Sequence, residues 1–428
     1  MILEFKVANF LSIKEEQVLS FEATADTTLE DVYVVKKGKY RVLKSAMIYG
    51  ANASGKTNVL AALNFVGRLL NYPATQKDEQ TEHMPFILDE STRQQDGQFE
   101  LTFFAGEVLY VYSLEINRNW ISREKLVYYP GVKPAIVFQR HYDKGKDLSH
   151  VEVGSTLKLK STDKELLQST TLRNISVLAA YGKLNLDIPE MERAFRFMKN
   201  KLLPVIVPEG NMRRWANTLV DKTPEAKQFV LRMLNKADFN IDEIALKTLK
   251  EGSEINIHEQ VELEKFSQPL RNQLETMKGY ESKSLSFLRK VPGSVPVLFP
   301  AELESAGTNR YYDLSGILYD VLNKNQCMLI DELENSLHPD LVNHFIKTFL
   351  VNAKEAQLVF TTHNINILSE QDNLRKDVIW FTQKSKEGST ELYSMADFNH
   401  RKELSFINAY KAGKFGAKPK LGSIYMEG

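Results

Sequence analysis

Apolar and polar positions change rhythm along this chain, and the rhythm predicts its elements. At the start, Ile2, Glu4, Lys6 and Ala8 alternate with Leu3, Phe5, Val7 and Asn9, giving one apolar and one mixed face, the period of a strand. Val18-Leu19-Ser20-Phe21 reads as a second strand. Ala46-Met47-Ile48-Tyr49 is a short apolar run ending at Gly50, as a buried strand entering a turn would be. Beyond that turn Val59, Leu60, Leu63, Val66, Leu69 and Leu70 recur at helical spacing until Pro73 closes the helix. Residues 98–140 are β-rich. Phe99–Phe104 and Val108–Ile116 form a hairpin pattern around Ala105-Gly106-Glu107, and Lys125–Tyr129 and Ala135–Phe138 add two strands before the turn-rich Asp143–Asp147.

From about residue 160 to 290 helical patterns dominate, interrupted by a strand-like run at Ile255-Asn256-Ile257-His258 and without sustained heptads, which argues against a long coiled-coil arm. The last third alternates again: a strand at Gln326–Asp331 that ends in acid, a helix from Pro339 to Leu350, and a buried strand at Leu358–Thr362. Strands alternating with helices predict a mostly parallel α/β sheet. Three segments follow: 1–140 with a β-rich lobe, a mainly helical insertion over 141–295, and 296–428 as the second half of one core. A length of 428 residues suits two packed units.

The turn after Tyr49 carries the chemistry. Gly50-Ala51-Asn52-Ala53-Ser54-Gly55-Lys56-Thr57 fits Gly-x-x-x-x-Gly-Lys-Thr between a strand and a helix. Backbone N–H groups of such a loop point at phosphate oxygens, and the helix N-terminus adds favourable potential. Lys56 would reach the β- and γ-phosphates, Thr57 would ligate Mg²⁺, and Asn58 joins Gly50–Thr57 as a nucleotide-binding residue. A chance match arises in roughly 1–2% of chains this long at average residue frequencies, and the flanking elements make it rarer. Asp331 and Glu332 end the acidic strand, where Asp331 would join the Mg²⁺ shell and Glu332 would polarise the attacking water. His363, after Thr361-Thr362, is placed to contact the γ-phosphate from the end of the next strand. Ser305-Ala306-Gly307-Thr308 precedes the acidic strand by one helix and reads either as an ordinary N-cap or as an anion-binding turn.

Composition narrows the setting. Lys plus Arg and Asp plus Glu each number 55, so the chain has no global attraction for nucleic acid. The single cysteine, Cys327, excludes an internal disulfide and suits a reducing cytoplasm, and no apolar run approaches a membrane span. Cys327 lies in a buried strand, and Trp120, Trp215 and Trp380 carry no motif, so all four read as packing. His338-Pro339 reads as a helix start, and Lys411, Lys414, Lys418 and Lys420 as a modest basic, solvated tail.

The order of P-loop, long insertion, Ser-x-Gly-Thr helix, Leu329-Ile330-Asp331-Glu332 and Thr362-His363 resembles ABC-type ATPases of the SMC, RecF and MutS kind. Closer still, it looks like the AAA-type ATPases of bacterial anti-phage and abortive-infection operons, including RloA, AbiL and the ATPase half of OLD-family nucleases. Further matching pieces are Asn9-Phe10, Pro85-Phe86-Ile87-Leu88-Asp89, Asp331 through Pro339, and the tail Tyr410 through Ala417; the likeness fades between about 140 and 290.

The resemblance implies an α/β P-loop NTPase of ABC-ATPase type that binds and hydrolyses ATP with Mg²⁺. It implies a head-to-tail homodimer or higher oligomer in which ATP on one P-loop is capped by Ser305 and Gly307 of the other copy. A separately encoded effector is the implied partner, with nucleic acid a further candidate. Ser-Ala-Gly-Thr stands where the usual signature is Leu-Ser-Gly-Gly, and Gln168 is the candidate Q-loop residue. The 65 residues from 364 to 428 are too few for an added nuclease domain, and no Asp-x-Asp occurs there. The alternatives are a RecF- or SMC-like repair ATPase and a nucleotide-gated scaffold with little turnover.

Overall fold

The alternating N-terminal stretch forms the strand Ile2–Ala8 in the computed structural model, which describes all residues except 156, 158, 209, 211, 249–282, 291, 292, 294, 399–404 and 420–428. That strand joins a seven-stranded antiparallel sheet, ordered Leu148–Val153, Ala135–Asp143, Ile121–Tyr129, Val108–Ile116, Gly97–Ala105, Ile2–Ala8 and Gln17–Ser20. One face is apolar: Phe103 stacks on Phe197 of the helix Pro189–Lys201 with ring centroids 4.3 Å apart. Burial of one such ring stabilises the fold by roughly 1.5–3 kcal/mol.

The second sheet holds the P-loop. Its order is Leu202–Ile206, Cys327–Ile330, Gln357–Thr362, Ser45–Gly50, Ile379–Lys384 and Thr390–Ser394, parallel throughout except for the last pair. Three of the four inner strands, Cys327–Ile330, Gln357–Thr362 and Ser45–Gly50, are buried at every position, as strands covered on both faces must be. The buried Gln357 amide joins the sheets, accepting from Ile2 N–H at 2.5 Å and donating to Ile2 O at 2.8 Å and Leu43 O at 3.0 Å. The P-loop helix Lys56–Asn71 reaches the antiparallel sheet through Phe65, whose ring lies 5.1 Å from those of both Phe10 and Phe99.

Both sheets belong to one compact unit, Met1–Pro208 with Lys324–Glu334 and Ile346–Gly428. The other unit is Glu209–Asn323 with Asn335–Phe345. It contains the helices Arg213–Lys222 and Pro224–Lys236, a three-stranded antiparallel sheet of Glu243–Thr248, Lys283–Arg289 and Val297–Pro300, and most of the helix Ala306–Lys324.

The expected segment boundary at 140/141 therefore falls inside the strand Ala135–Asp143. The segment 141–295 is also less helical than its sequence suggests, since it supplies the strands Leu148–Val153, Leu202–Ile206, Glu243–Thr248 and Lys283–Arg289. Short apolar runs cannot be separated from helix by periodicity alone. Leu202–Ile206 carries Pro204, which an edge strand tolerates. The strand-like run at residues 255–258 lies outside the described residues.

Candidate functional site

The P-loop is shaped by its neighbours in the parallel sheet. Gly50 ends its strand opposite Thr382, and a Cβ there would lie 2.2 Å from Thr382 Oγ1. Gly55 has φ +102°, a left-handed conformation suited to glycine, and a Cβ there would lie 1.9 Å from Thr390 Oγ1. Ala51 is half-buried, Asn52 and Ala53 are exposed, and Ser54 is buried. Asn58 donates through Nδ2 to Ser12 Oγ at 2.6 Å.

Lys56 is the buried cation of the loop. Its Nζ donates to Gly50 O at 3.1 Å, Ala51 O at 3.3 Å and His363 Nε2 at 2.9 Å. Burial lowers its pKa, and Asp331, Glu332 and Glu334 oppose that shift. Much of His363 is exposed, yet the protein around its ring and then the Lys56 ammonium both disfavour its protonated form. A neutral ring accepts from Lys56, as the geometry requires.

The acidic strand meets the loop across the intervening strand Gln357–Thr362. Asp331, 5% exposed, accepts from Thr57 Oγ1 at 2.9 Å on one oxygen and from Thr361 Oγ1 at 2.6 Å on the other. Glu332 is half-buried with φ +49°, between Asp331 and the fully buried Leu333. Its N–H donates to Thr361 Oγ1 at 2.8 Å. A non-glycine residue in this region costs on the order of 1–3 kcal/mol. Glu334 accepts from the His363 backbone N–H, while its Oε2 is buried without a hydrogen-bond partner.

Thus two hydrogen-bonded pairs, Lys56 with His363 and Thr57 with Asp331, come together in one unit at adjacent positions of the loop. Ser305 and Gly307 belong to the other unit. There Ser305 Oγ accepts from Thr308 N–H at 3.0 Å, which is N-cap geometry. A Cβ on Gly307 would lie 2.8 Å from Ser336 O, so its bare backbone already serves packing within the chain. In the same unit Arg310 is buried, with Nε and Nη2 lacking hydrogen-bond partners. Gln168 accepts from Val151 N–H at 3.3 Å at the edge of the antiparallel sheet, and no hydrogen bond joins it to the P-loop.

Other features resolve into packing. Cys327 is a free, buried thiol whose pKa burial raises to about 12. Trp380 is buried, and Trp120 donates to Ser122 Oγ at 3.1 Å. Pro339 starts its helix, with His338 O accepting from Leu341 and Val342 N–H. Lys411, Lys414 and Lys418 are exposed, whereas Phe415 and Ala417 between them are buried; Lys420 lies outside the described residues. Asn9 and the Pro85-Phe86 segment meet: Phe86 N–H donates to Asn9 Oδ1 at 2.9 Å.

Sequence reasoning missed Ser12, Thr382, Thr390 and Glu334 as neighbours of the site. Only Glu334 carried a signal, two residues beyond Glu332 on the same strand end.

The residues fit Mg²⁺ and a nucleoside triphosphate. The Thr57 hydroxyl and Asp331 carboxylate are a hard-oxygen pair of the kind that holds Mg²⁺ beside substrate phosphates. Among the described residues there is no group of three or more His, Cys, Asp or Glu able to form an all-protein metal cage. No helix among them is long and apolar enough to cross a membrane.

Solved SMC head domains are similar at low identity. One, an SMC head bound to the C-winged helix domain of ScpA, is 12% identical over 92% of this chain and 97% of that chain, with a TM-score of 0.43. Another, from Thermotoga maritima, is 14% identical over 92% of this chain and 98% of that one, with a TM-score of 0.40. No curated protein sequence matches. The fold is α/β, with a P-loop on a mainly parallel sheet and a β-rich lobe. Residues 45–369 match the model of one family, and the chain belongs to it: the AAA domain family described as putative AbiEii toxin, Type IV TA system.

Proposed function

We propose that this chain binds and hydrolyses ATP with Mg²⁺ as the ATPase subunit of a bacterial anti-phage, abortive-infection complex. In this reading two copies associate head to tail on ATP and so control a separately encoded effector. The observation that carries the ATPase reading is the hydrogen-bonded set of Lys56, Thr57, Asp331 and His363. The defence setting is supported by the family's toxin–antitoxin description together with the abortive-infection resemblance of the motifs.

Each residue then has a task. Lys56 exchanges the Gly50 and Ala51 carbonyls for β- and γ-phosphate oxygens and releases His363 Nε2 toward the γ-phosphate. Thr57 and Asp331 would hold Mg²⁺, which would neutralise charge on the phosphate oxygens when bound. Glu332 takes the proton of the attacking water as its oxygen bonds to the γ-phosphorus and the bond to the β–γ bridging oxygen breaks, leaving ADP and phosphate. Ser305 and Gly307 close the site on a second copy.

The test uses cells carrying the native operon with wild-type or Lys56→Ala protein, challenged with phage. Protection in the wild type and its loss in Lys56→Ala support the reading. Equal plating on both strains contradicts the defence role, while turnover of ATP by the purified chain is scored separately.

A further inference from the structure

Two threonines of a C-terminal hairpin hold the P-loop from behind. Both lie beyond residues 45–369, the part of the chain that the family model matches. Thr382 is in Ile379–Lys384, paired with the P-loop strand, and Thr390 begins Thr390–Ser394. Thr382 is 0% exposed, Thr390 2% and Ser54 3%, so their polar atoms must find partners inside the protein.

They find them on Ser54, in the loop itself. The Ser54 hydroxyl lies 2.6 Å from Thr382 Oγ1, and Thr382 Oγ1 donates to Tyr49 O at 3.4 Å. Thr390 Oγ1 donates to Ser54 O at 3.1 Å and lies 2.7 Å from Ser12 Oγ. Ser12 Oγ accepts from Asn58 Nδ2 at 2.6 Å, and Ser12 O accepts from Thr390 N–H at 2.8 Å.

One assignment of hydroxyl protons satisfies every contact. Asn58 donates to Ser12, Ser12 to Thr390 and Thr390 to the Ser54 carbonyl, while the Ser54 hydroxyl donates to Thr382 and Thr382 to the Tyr49 carbonyl. Both loop glycines are required by the same side chains, since a Cβ on Gly50 would meet Thr382 and one on Gly55 would meet Thr390.

We infer that Thr382 and Thr390 are positioning residues that set the shape of the P-loop and thereby its affinity for the phosphates of ATP. They act through Ser54, Gly50 and Gly55, and Ser12 completes the clamp from the N-terminal side. The loop contains Ala53 at φ +59° and Gly55 at φ +102°, so its amide array depends on an external hold. A clamp formed before the ligand arrives spares binding the cost of ordering the loop. The inference rests on the reading of this loop as the ATP site.

The test measures Mg·ATP binding by calorimetry on the full chain, for wild type, Thr382→Val, Thr390→Val, Thr382→Ser, Thr390→Ser and Lys56→Ala. Thermal unfolding without nucleotide is recorded beside it. Valine keeps the shape and removes the hydroxyl, whereas serine keeps the hydroxyl. Each valine variant is expected to bind about five- to tenfold more weakly, the scale of one lost anchoring hydrogen bond. Each serine variant should stay within about twofold of wild type, and none should shift its unfolding midpoint by more than about two degrees. Valine variants that bind like wild type, while Lys56→Ala does not bind, overturn the clamp and leave the ATP site standing. Loss of affinity that tracks loss of stability and is not rescued by serine also overturns it. A wild-type chain that does not bind overturns the site and the clamp together.

Discussion

Thr57 Oγ1 donates to Asp331 Oδ2 at 2.9 Å, joining residues 274 positions apart in the chain. The pairing arises because Gln357–Thr362 lies between the P-loop strand and the acidic strand, in register with both. Asp331→Asn keeps the shape and removes the negative charge presented to Mg²⁺. It is expected to raise the Mg²⁺ concentration needed for tight ATP binding at least about tenfold, while affinity without Mg²⁺ changes little. Titration of ATP affinity against Mg²⁺ checks this. An unchanged Mg²⁺ requirement would move the metal away from Asp331.

Glu332 follows Asp331 in a left-handed conformation, with its N–H fixed on the Thr361 hydroxyl. Glu332→Gln retains size and loses the proton acceptor. Turnover should fall by about 10²–10⁴-fold while ATP affinity is kept, the range for one general base. A steady-state phosphate-release assay reads the effect, and sedimentation velocity should show the ATP-bound variant accumulating as a dimer. Near-normal turnover assigns the proton to another group.

Ser305 caps its helix, so a test of the shared site must preserve the cap. Ser305→Asp does so, because aspartate is an equally good N-cap, and it turns a negative charge toward any approaching phosphate. Alone it should bind ATP and fail to hydrolyse it. Mixed with Lys56→Ala, it should recover part of the turnover, since one site of the mixed dimer then combines an intact P-loop with an intact Ser305. Gly307→Arg is a poorer choice, because its side chain would strike Ser336 O in its own chain. No recovery in mixed dimers shown to form contradicts sharing.

His83 is 1% exposed and packs among Phe10, Phe65 and Phe99, with Nε2–H donating to Asn9 O at 3.0 Å. Burial depresses its pKa below that of an ordinary histidine despite that bond. The folded state therefore binds the proton less readily than the unfolded chain. The stability it contributes is complete above about pH 6.5 and is lost as pH falls through the folded pKa. Chemical denaturation at pH 7.5 and pH 5.5 should show a smaller difference in His83→Gln than in wild type. An identical difference assigns the acid sensitivity elsewhere.

Three strands of the parallel sheet, Ser45–Gly50, Cys327–Ile330 and Gln357–Thr362, were legible because each is a continuous apolar run bounded by polar ends, and Gly50–Thr57 and Asp331-Glu332 stand at those ends. The P-loop helix was legible from Val59 to Leu70 by its period. What was not legible depends on partners distant in sequence. Thr382 and Thr390 are ordinary strand residues by propensity, and only pairing with Gly50 and the approach of Ser12 give them a task. Leu202–Ile206 gains strand form by pairing with Cys327–Ile330. The positive φ of Glu332 follows from turning the chain between Asp331 and the buried Leu333, which no local pattern announces. Ser305 was ambiguous between cap and anion turn because both use a small hydroxyl residue at a helix start, and the hydrogen bond to Thr308 places it as a cap within its own chain.

The central claim is that the loop around Lys56 binds ATP, and equilibrium binding of Mg·ATP to folded wild-type and Lys56→Ala chains tests it most directly. Lys56 gives all its observed hydrogen bonds to His363 and to two carbonyls of the very loop that would hold the phosphates. Wild type is expected to bind saturably, and Lys56→Ala, with its fold intact by thermal unfolding, is expected to lose about 100-fold or more in affinity, the scale of removing a buried charge that faces phosphate. Equal affinity in the two chains, or no binding by the wild type, would contradict the account.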